Sequence, residues 1–252
     1  YSKNYEQTYR KSFFLNPIKI IYFIESKLIK RYENFCFNNF DKILLFSKKE
    51  IDAVEKKYKK KLLQINFGIN KIKKKFKFHK SNYKIIFIGN ITYSPNRKAC
   101  YEFAKNILPK ILEIYSNIEF HIIGEISKID KFLLKRHSNV KILDKVDNLD
   151  PILEKTICGL ANLDVSTGVQ TKLLTYMSYG IPSVCSQKVA KNFDAIKDSK
   201  ILFYRNSEEM IKLIMKLKKN KKYALSSSSR ALRNIGKFRW DKVLITLNKV
   251  LK

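Results

Sequence analysis

Residues 83–124 read YKIIFIGNITYSPNRKACYEFAKNILPKILEIYSNIEFHIIG, and the change of period inside this stretch decides the fold. Residues 84–88 form a short, unbroken apolar run that stops at Gly89. Such a run fits a strand covered on both faces. Over residues 96–115 the apolar positions fall at helical spacing: Ala99, Phe103, Ile107, Ile111 and Ile114. Pro95 suits the first turn of that helix. Pro109 bends or restarts it, because proline lacks an N–H and crowds the preceding turn. Residues 118–123 make a second strand, ended by Gly124. Strand, helix and strand in this order form a parallel βαβ unit.

The alternation continues toward the C-terminus. Residues 130–136 predict a short helix, 140–143 a strand, 148–153 a helical turn and 157–161 a strand. Residues 168–179 predict a helix closed by Gly180, which accepts the left-handed conformation of a C-cap. Residues 182–185 and 201–204 predict two more strands. Residues 207–217, 221–235 and 240–251 predict helices, the first favoured by Glu208 and Glu209 in its opening turn. The serine patch at 226–229 is expected where two helices meet. This pattern predicts a doubly wound parallel α/β sheet, which binds ligands beyond the carboxyl ends of its strands. The loops at 89–93, 124–125, 145–148 and 164–168 should therefore converge on one crevice.

Upstream, residues 18–37 predict a long helix, 41–46 a strand, 48–58 a helix and 62–66 a strand. That unit is too small to close a sheet of its own. It reads as the C-terminal part of a truncated first α/β domain, in a chain that opens at Tyr1 without Met. The expected organisation is a first-domain remnant with linker over 1–80, a complete ligand-binding domain over 81–236, and a C-terminal crossing helix over 237–252. Lys71, Lys73, Lys74, Lys75, Lys77 and Lys80 read as a solvated linker.

Bulk properties narrow the class. With 252 residues, 45% of them hydrophobic, the chain can build a core, and global disorder is excluded. No apolar run approaches the roughly 20 residues that span a bilayer; the best stretch, 18–29, is broken by Lys19, Glu25, Ser26 and Lys27. The opening residues lack a signal-peptide pattern. Four cysteines without a CxxC pair read as small buried hydrophobes in a reducing compartment. The three histidines are isolated, and His121 falls inside a strand, where a structural role is expected. The net charge of +30 comes from lysines spread along the whole chain, as compositional bias would place them. A non-catalytic basic module on anionic membrane or nucleic acid is the alternative reading, supported by that charge and by the amphipathic stretch 18–31.

Among chemical motifs, GxGxxG, the Walker loop, HExxH and GxSxG are all missing, so a redox dinucleotide site is disfavoured. The informative stretch is 164–184, DVSTGVQTKLLTYMSYGIPSV. Here a turn of small residues, Ser166, Thr167 and Gly168, feeds a helix N-terminus. Free backbone N–H groups and the helix dipole suit a diphosphate there. Lys172 lies one turn in and reaches toward the same anion, with Thr175 on the same side. An ordinary helix start leading through Gly-x-Pro into a strand fits these residues equally well.

The stretch resembles the donor signature of the retaining GT-B glycosyltransferases of family 4, G-I/V-Q-x-K-x-x-E-x-M-x-x-G-x-P-V-V. Residues 87–96, FIGNITYSPN, resemble the GNMxYxPN opening of a polysaccharide-associated subgroup, and 120–124, FHIIG, its F-x-I-I/V-G. Residues 31–33, 40–41, 46–50 and 66–70 resemble the end of the acceptor domain, and Phe238-Arg239-Trp240 resembles the F-S-W before the C-terminal helix.

The resemblance implies a GT-B fold with a Rossmann-like donor domain, and transfer of a sugar from a nucleotide-diphosphate donor to a glycan or lipid-linked acceptor. It implies that Thr167, Gly168, Val169, Gln170 and Lys172 surround the donor diphosphate. Gly89, Asn90 and Gly124 would line the crevice, Val146 would flank the base, and Thr175 would face the ribose or sugar. It implies no cofactor and no metal, since the helix dipole and basic side chains neutralise the leaving group. It assigns no catalytic residue. A cytoplasmic location at the inner face of the plasma membrane follows, with an anionic membrane surface as a further partner and no specific nucleic acid. Three positions depart from the pattern: Thr175 stands in place of Glu, Asp164 in place of Arg and Asn162 in place of Pro.

Overall fold

The computed structural model describes residue 6 and residues 18–69, 76–164, 170–192 and 201–251. Two compact units divide the chain, one ending at Gln64 and one beginning at Ile65.

The first unit contains α1 (Ile18–Asn39), β1 (Ile43–Leu45), α2 (Lys48–Asp52) and β2 (Leu62–Gln64), with β1 and β2 paired in parallel. A capping box starts α2: the Ser47 N–H donates to Glu50 Oε2 (3.1 Å), and the Glu50 N–H donates to Ser47 Oγ (3.2 Å). The single helix expected over 48–58 does not form. Instead α2 stops at Asp52 and a 3₁₀ helix follows over Lys56–Lys61. Lys56, Lys57, Lys59, Lys60 and Lys61 crowd like charges at helical neighbour positions, which weakens a continuous helix.

The second unit is built on six parallel strands: β3 (Lys84–Ile88), β4 (Glu119–Ile123), β5 (Val140–Leu143), β6 (Thr156–Ala161), β7 (Ser183–Ser186) and β8 (Leu202–Tyr204). Their order is β5-β4-β3-β6-β7-β8. The chain lays β3 first, adds β4 and β5 on one side, then crosses to add β6, β7 and β8 on the other. That reversal between β3 and β6 is the switch point of a doubly wound sheet. The connecting helices are α3 (Ser94–Glu102), α4 (Leu108–Leu112), α5 (Lys128–Lys135), α6 (Thr171–Ser178), α7 (Gln187–Asn192), α8 (Ser207–Lys219), α9 (Lys221–Ile235) and α10 (Trp240–Leu251). Phe87, Phe103, Phe120 and Tyr176 are fully buried between sheet and helices.

Between α3 and α4 lies a π turn over Phe103–Ile107, in which the Leu108 N–H reaches back to Phe103 O. Pro109 has no N–H to offer the carbonyl of Lys105, and the wide turn absorbs that defect. The bend expected at Pro109 thus takes the form of a π bulge just before it. The serine patch lies within α9, with Ser227 and Ser228 buried. A Cβ on Gly180 would meet Ser228 Oγ at 2.9 Å, so small residues let α9 close onto the turn after α6.

Candidate functional site

At the switch point the pairing of β3 and β6 runs only through Lys84↔Thr156, Ile85↔Cys158 and Ile86↔Gly159. Beyond it the strands part, and their backbone groups need other partners. Tyr176, buried on α6, supplies them. Its hydroxyl accepts from the Ile88 N–H (2.9 Å) and donates to Leu160 O (3.1 Å). Its ring lies where a Cβ on Gly159 would stand, 2.5 Å away, so glycine in this strand makes room for it. Burial pushes the phenol far above its usual range, so it stays neutral.

The strands part around a cavity of about 210 Å3 lined by Ile88, Gly89, Asn90, Tyr93, Asn96, Leu163, Gln170, Thr171, Lys172 and Thr175. Lys172 defines its chemistry. The residue is 6% exposed. Its ammonium donates to Asn96 Oδ1 at 2.7 Å and stands 4.1 Å from the centroid of the Phe87 ring. Asn96 in turn donates through Nδ2 to Asn90 O (2.7 Å). Among the described residues no carboxylate pairs with this ammonium. Burial accordingly lowers its pKa to about 8. Gln170, at the N-cap of α6, supplies no side-chain cap to the helix start beside it.

The loop after β3 is tied to the loop after β4. The Gly89 N–H donates to Ile123 O (2.9 Å), the Ile91 N–H to Glu125 O (2.7 Å) and Asn90 Nδ2 to Glu125 Oε2 (3.1 Å). Asn90 Oδ1 accepts from the Thr92 N–H and hydroxyl, which closes the turn. Gly124 has φ +140°, and a Cβ there would stand 2.1 Å from Gly89 O.

Of the residues singled out in the sequence, Gly89, Asn90, Gln170, Lys172 and Thr175 line one cavity. Gly124 packs beneath Gly89. Val146 is partly buried against the main core and does not line the cavity. Thr167, Gly168 and Val169 lie outside the described residues. The Thr175 hydroxyl is turned back onto its own helix, donating to Thr171 O (3.2 Å). Asp164 is held by Lys98 at 2.7 Å and does not line the cavity. Asn162 Nδ2 donates to Ala99 O (2.8 Å).

Sequence reasoning assigned no role to Asn96 or Tyr176. Asn96 stood inside a quoted motif, directly after Pro95. Tyr176 had one signal, a bulky aromatic on a helix facing a strand that contains glycine. Among the described residues no cluster of three His, Cys, Asp or Glu is placed to hold a metal ion, and no helix is long and apolar enough to cross a membrane. Cys100, Cys158 and Cys185 are buried and unpaired. His121 is buried on β4 against Glu119 (2.6 Å).

The family model described as glycosyl transferases group 1 matches residues 82–220, more than half of the chain. No curated protein sequence matches it. Among solved structures, TarM of S. aureus superposes with a TM-score of 0.69 at 19% identity, covering 88% of this chain and 46% of TarM. HepE of Anabaena superposes at 0.68 with 9% identity, covering 86% of this chain and 64% of HepE. The pneumococcal O-GlcNAc transferase GtfA superposes at 0.65 with 12% identity, covering 88% and 47%. The chain thus spans about half the length of TarM and of GtfA, and the likeness to all three is one of fold. Parallel sheet order, crevice position and family match agree: this chain has a GT-B type fold and belongs to the glycosyl transferases of group 1.

Proposed function

We propose that this chain carries the donor side of a glycosyltransferase that moves a sugar from a nucleoside diphosphate to a glycan or lipid-linked acceptor, with retention at the anomeric carbon, in cell-surface polysaccharide synthesis. One observation carries the reading. The Lys172 ammonium is buried at the cavity wall, where among the described residues a neutral amide and an aromatic face meet it and no carboxylate pairs with it. A buried charge without a counter-charge is costly, and a diphosphate entering the cavity supplies one.

In the transfer, the bond between anomeric carbon and diphosphate oxygen breaks. The leaving nucleoside diphosphate takes the electron pair and gains negative charge. Lys172 and the first turn of α6 offset that charge, with no metal in the reading. The acceptor oxygen forms the new bond to the anomeric carbon and passes its proton to the departing diphosphate oxygen. In this reading Gln170 joins Lys172 on the diphosphate side, Gly89 and Asn90 form the facing wall with Gly124 packed beneath Gly89, and Thr175 lies at the sugar end.

TarM, HepE and GtfA have each been solved with UDP, so uracil is the first base to try. The test is thermal protection by UDP, GDP and ADP. At least one should raise the unfolding temperature of the chain and fail to do so for Lys172→Ala. Protection by none of the three, or equal protection of the variant, would end the proposal.

A further inference from the structure

Helix α5 faces the wrong way for its sequence. Ile129, Phe132 and Leu133 fall at i, i+3 and i+4, the spacing that ordinarily turns inward. They face solvent instead, 72%, 67% and 38% exposed. The residues turned inward are Asp130 and Leu134.

This orientation is fixed by bonding. Ser127 Oγ accepts from the Asp130 N–H (3.0 Å) and donates to Asp130 Oδ2 (2.6 Å). The Tyr101 hydroxyl donates to Asp130 Oδ1 (3.2 Å), and an Arg97 guanidinium nitrogen stands 3.9 Å from Oδ2. Rotating α5 to bury Phe132 would strip a buried carboxylate of these partners and withdraw Leu134 from the core, both costly.

We propose that the outward face of α5, with Ile129, Phe132 and Leu133 flanked by Lys128, Lys135 and Arg136, docks the protein on an anionic lipid bilayer. Lys128, Lys135 and Arg136 are exposed. The only carboxylate of the helix, Asp130, points inward, so the outward face carries positive charge alone. Lys131 is engaged by Asp144 at 2.6 Å. Protein–protein interface cores are depleted in lysine. Exposed Phe and Leu beside Lys and Arg on one helix suit the headgroup boundary, where apolar side chains insert and cations meet lipid phosphate. The net charge of +30 adds long-range attraction to such a surface.

The placement also bears on the proposed reaction, and this consequence alone rests on that reading. The α5 segment follows directly on Glu125, which Asn90 of the cavity wall binds. A bilayer held by α5 would lie beside the donor cavity, where a lipid-linked acceptor is needed.

The test uses flotation of the whole chain with phosphatidylcholine vesicles and with mixed phosphatidylcholine–phosphatidylglycerol vesicles. The double variant Ile129→Ser, Phe132→Ser keeps every charge. It should partition onto the mixed vesicles roughly tenfold less or weaker still, given the apolar area removed, with an unchanged urea midpoint and unchanged heparin binding. An indole introduced by Phe132→Trp should be quenched by brominated phosphatidylglycerol beyond any quenching of wild type. Equal partitioning of the double variant, an unquenched indole, or a wild-type dimer that the double variant dissolves would each overturn the proposal. UDP protection of the double variant, read alongside, should match wild type, so failure of docking and failure of the donor site are told apart.

Discussion

Replacing Lys172 by methionine should strengthen the fold while removing nucleotide binding. Burial lowers Lys172 from the ordinary 10.5 to about 8. At 1.36 kcal/mol per tenfold, holding that ammonium charged near neutrality costs the folded state roughly 3 kcal/mol. Methionine is of similar length and carries no charge. It deprives Asn96 Oδ1 of the donor now 2.7 Å away. Losing that bond costs about 1–2 kcal/mol. The expected net gain near pH 7 is about 1–2 kcal/mol. Because the folded pKa lies below the unfolded one, the unfolded chain holds the extra proton between about 8 and 10.5. Wild-type stability therefore rises with pH through that window, and the advantage of Lys172→Met disappears there. Urea denaturation of both proteins at pH 7 and near pH 10 reads the effect, and the difference between them cancels the many other lysines. With UDP at a hundredfold excess over its dissociation constant, wild type should gain about 2.7 kcal/mol and the variant nothing. A variant less stable than wild type by more than about 1 kcal/mol at pH 7, or a gap that stays constant with pH, would refute the reasoning.

Four further outcomes are expected. Gly124→Ala should destabilise by about 2–3 kcal/mol in urea, since φ is +140° and the new Cβ would meet Gly89 O. Tyr176→Phe should cost about 2–3 kcal/mol by the same assay, leaving the Ile88 N–H and Leu160 O without their buried partner. Asn96→Ala, which releases the Lys172 ammonium and Asn90 O, should weaken UDP binding in calorimetry by about tenfold, or about 1.4 kcal/mol. Thr175→Ala should leave UDP affinity within about twofold, because its hydroxyl serves Thr171 O and a helix-satisfied hydroxyl contributes only a few tenths of a kcal/mol.

The alternation of strands and helices was legible because each period is local. Continuous apolar runs gave β3, β4 and β6 within a residue or two, and Gly180 closed α6. The doubly wound class followed from that alternation, but which strands form its centre did not, since β3 lies between β4 and β6 through contacts far apart in the chain. Lys172 could be singled out because lysine in the first turn of a helix after small residues has a local physical meaning. Its partner could not: Asn96 is 76 positions away from it, and Tyr176 is 88 positions from the strand amide it binds. The outward face of α5 contradicts its own period because Asp130 found partners on α3. The break after Asp52 was readable in principle from the lysine crowding at 56–61, which periodicity alone ignores.

The Tyr176 hydroxyl, bonded to one strand on each side of the split, has a mechanical consequence. It fastens α6 to both diverging strands at once, so the helix cannot slide or tilt without breaking two buried bonds. Lys172 lies one turn before it on the same face and inherits that fixity. The wall that bears the ammonium is then a rigid jaw, and any adjustment to an entering ligand falls to side chains across from it. The Ile88 amide, sealed beneath the phenol, should be among the last in the chain to exchange its hydrogen with solvent.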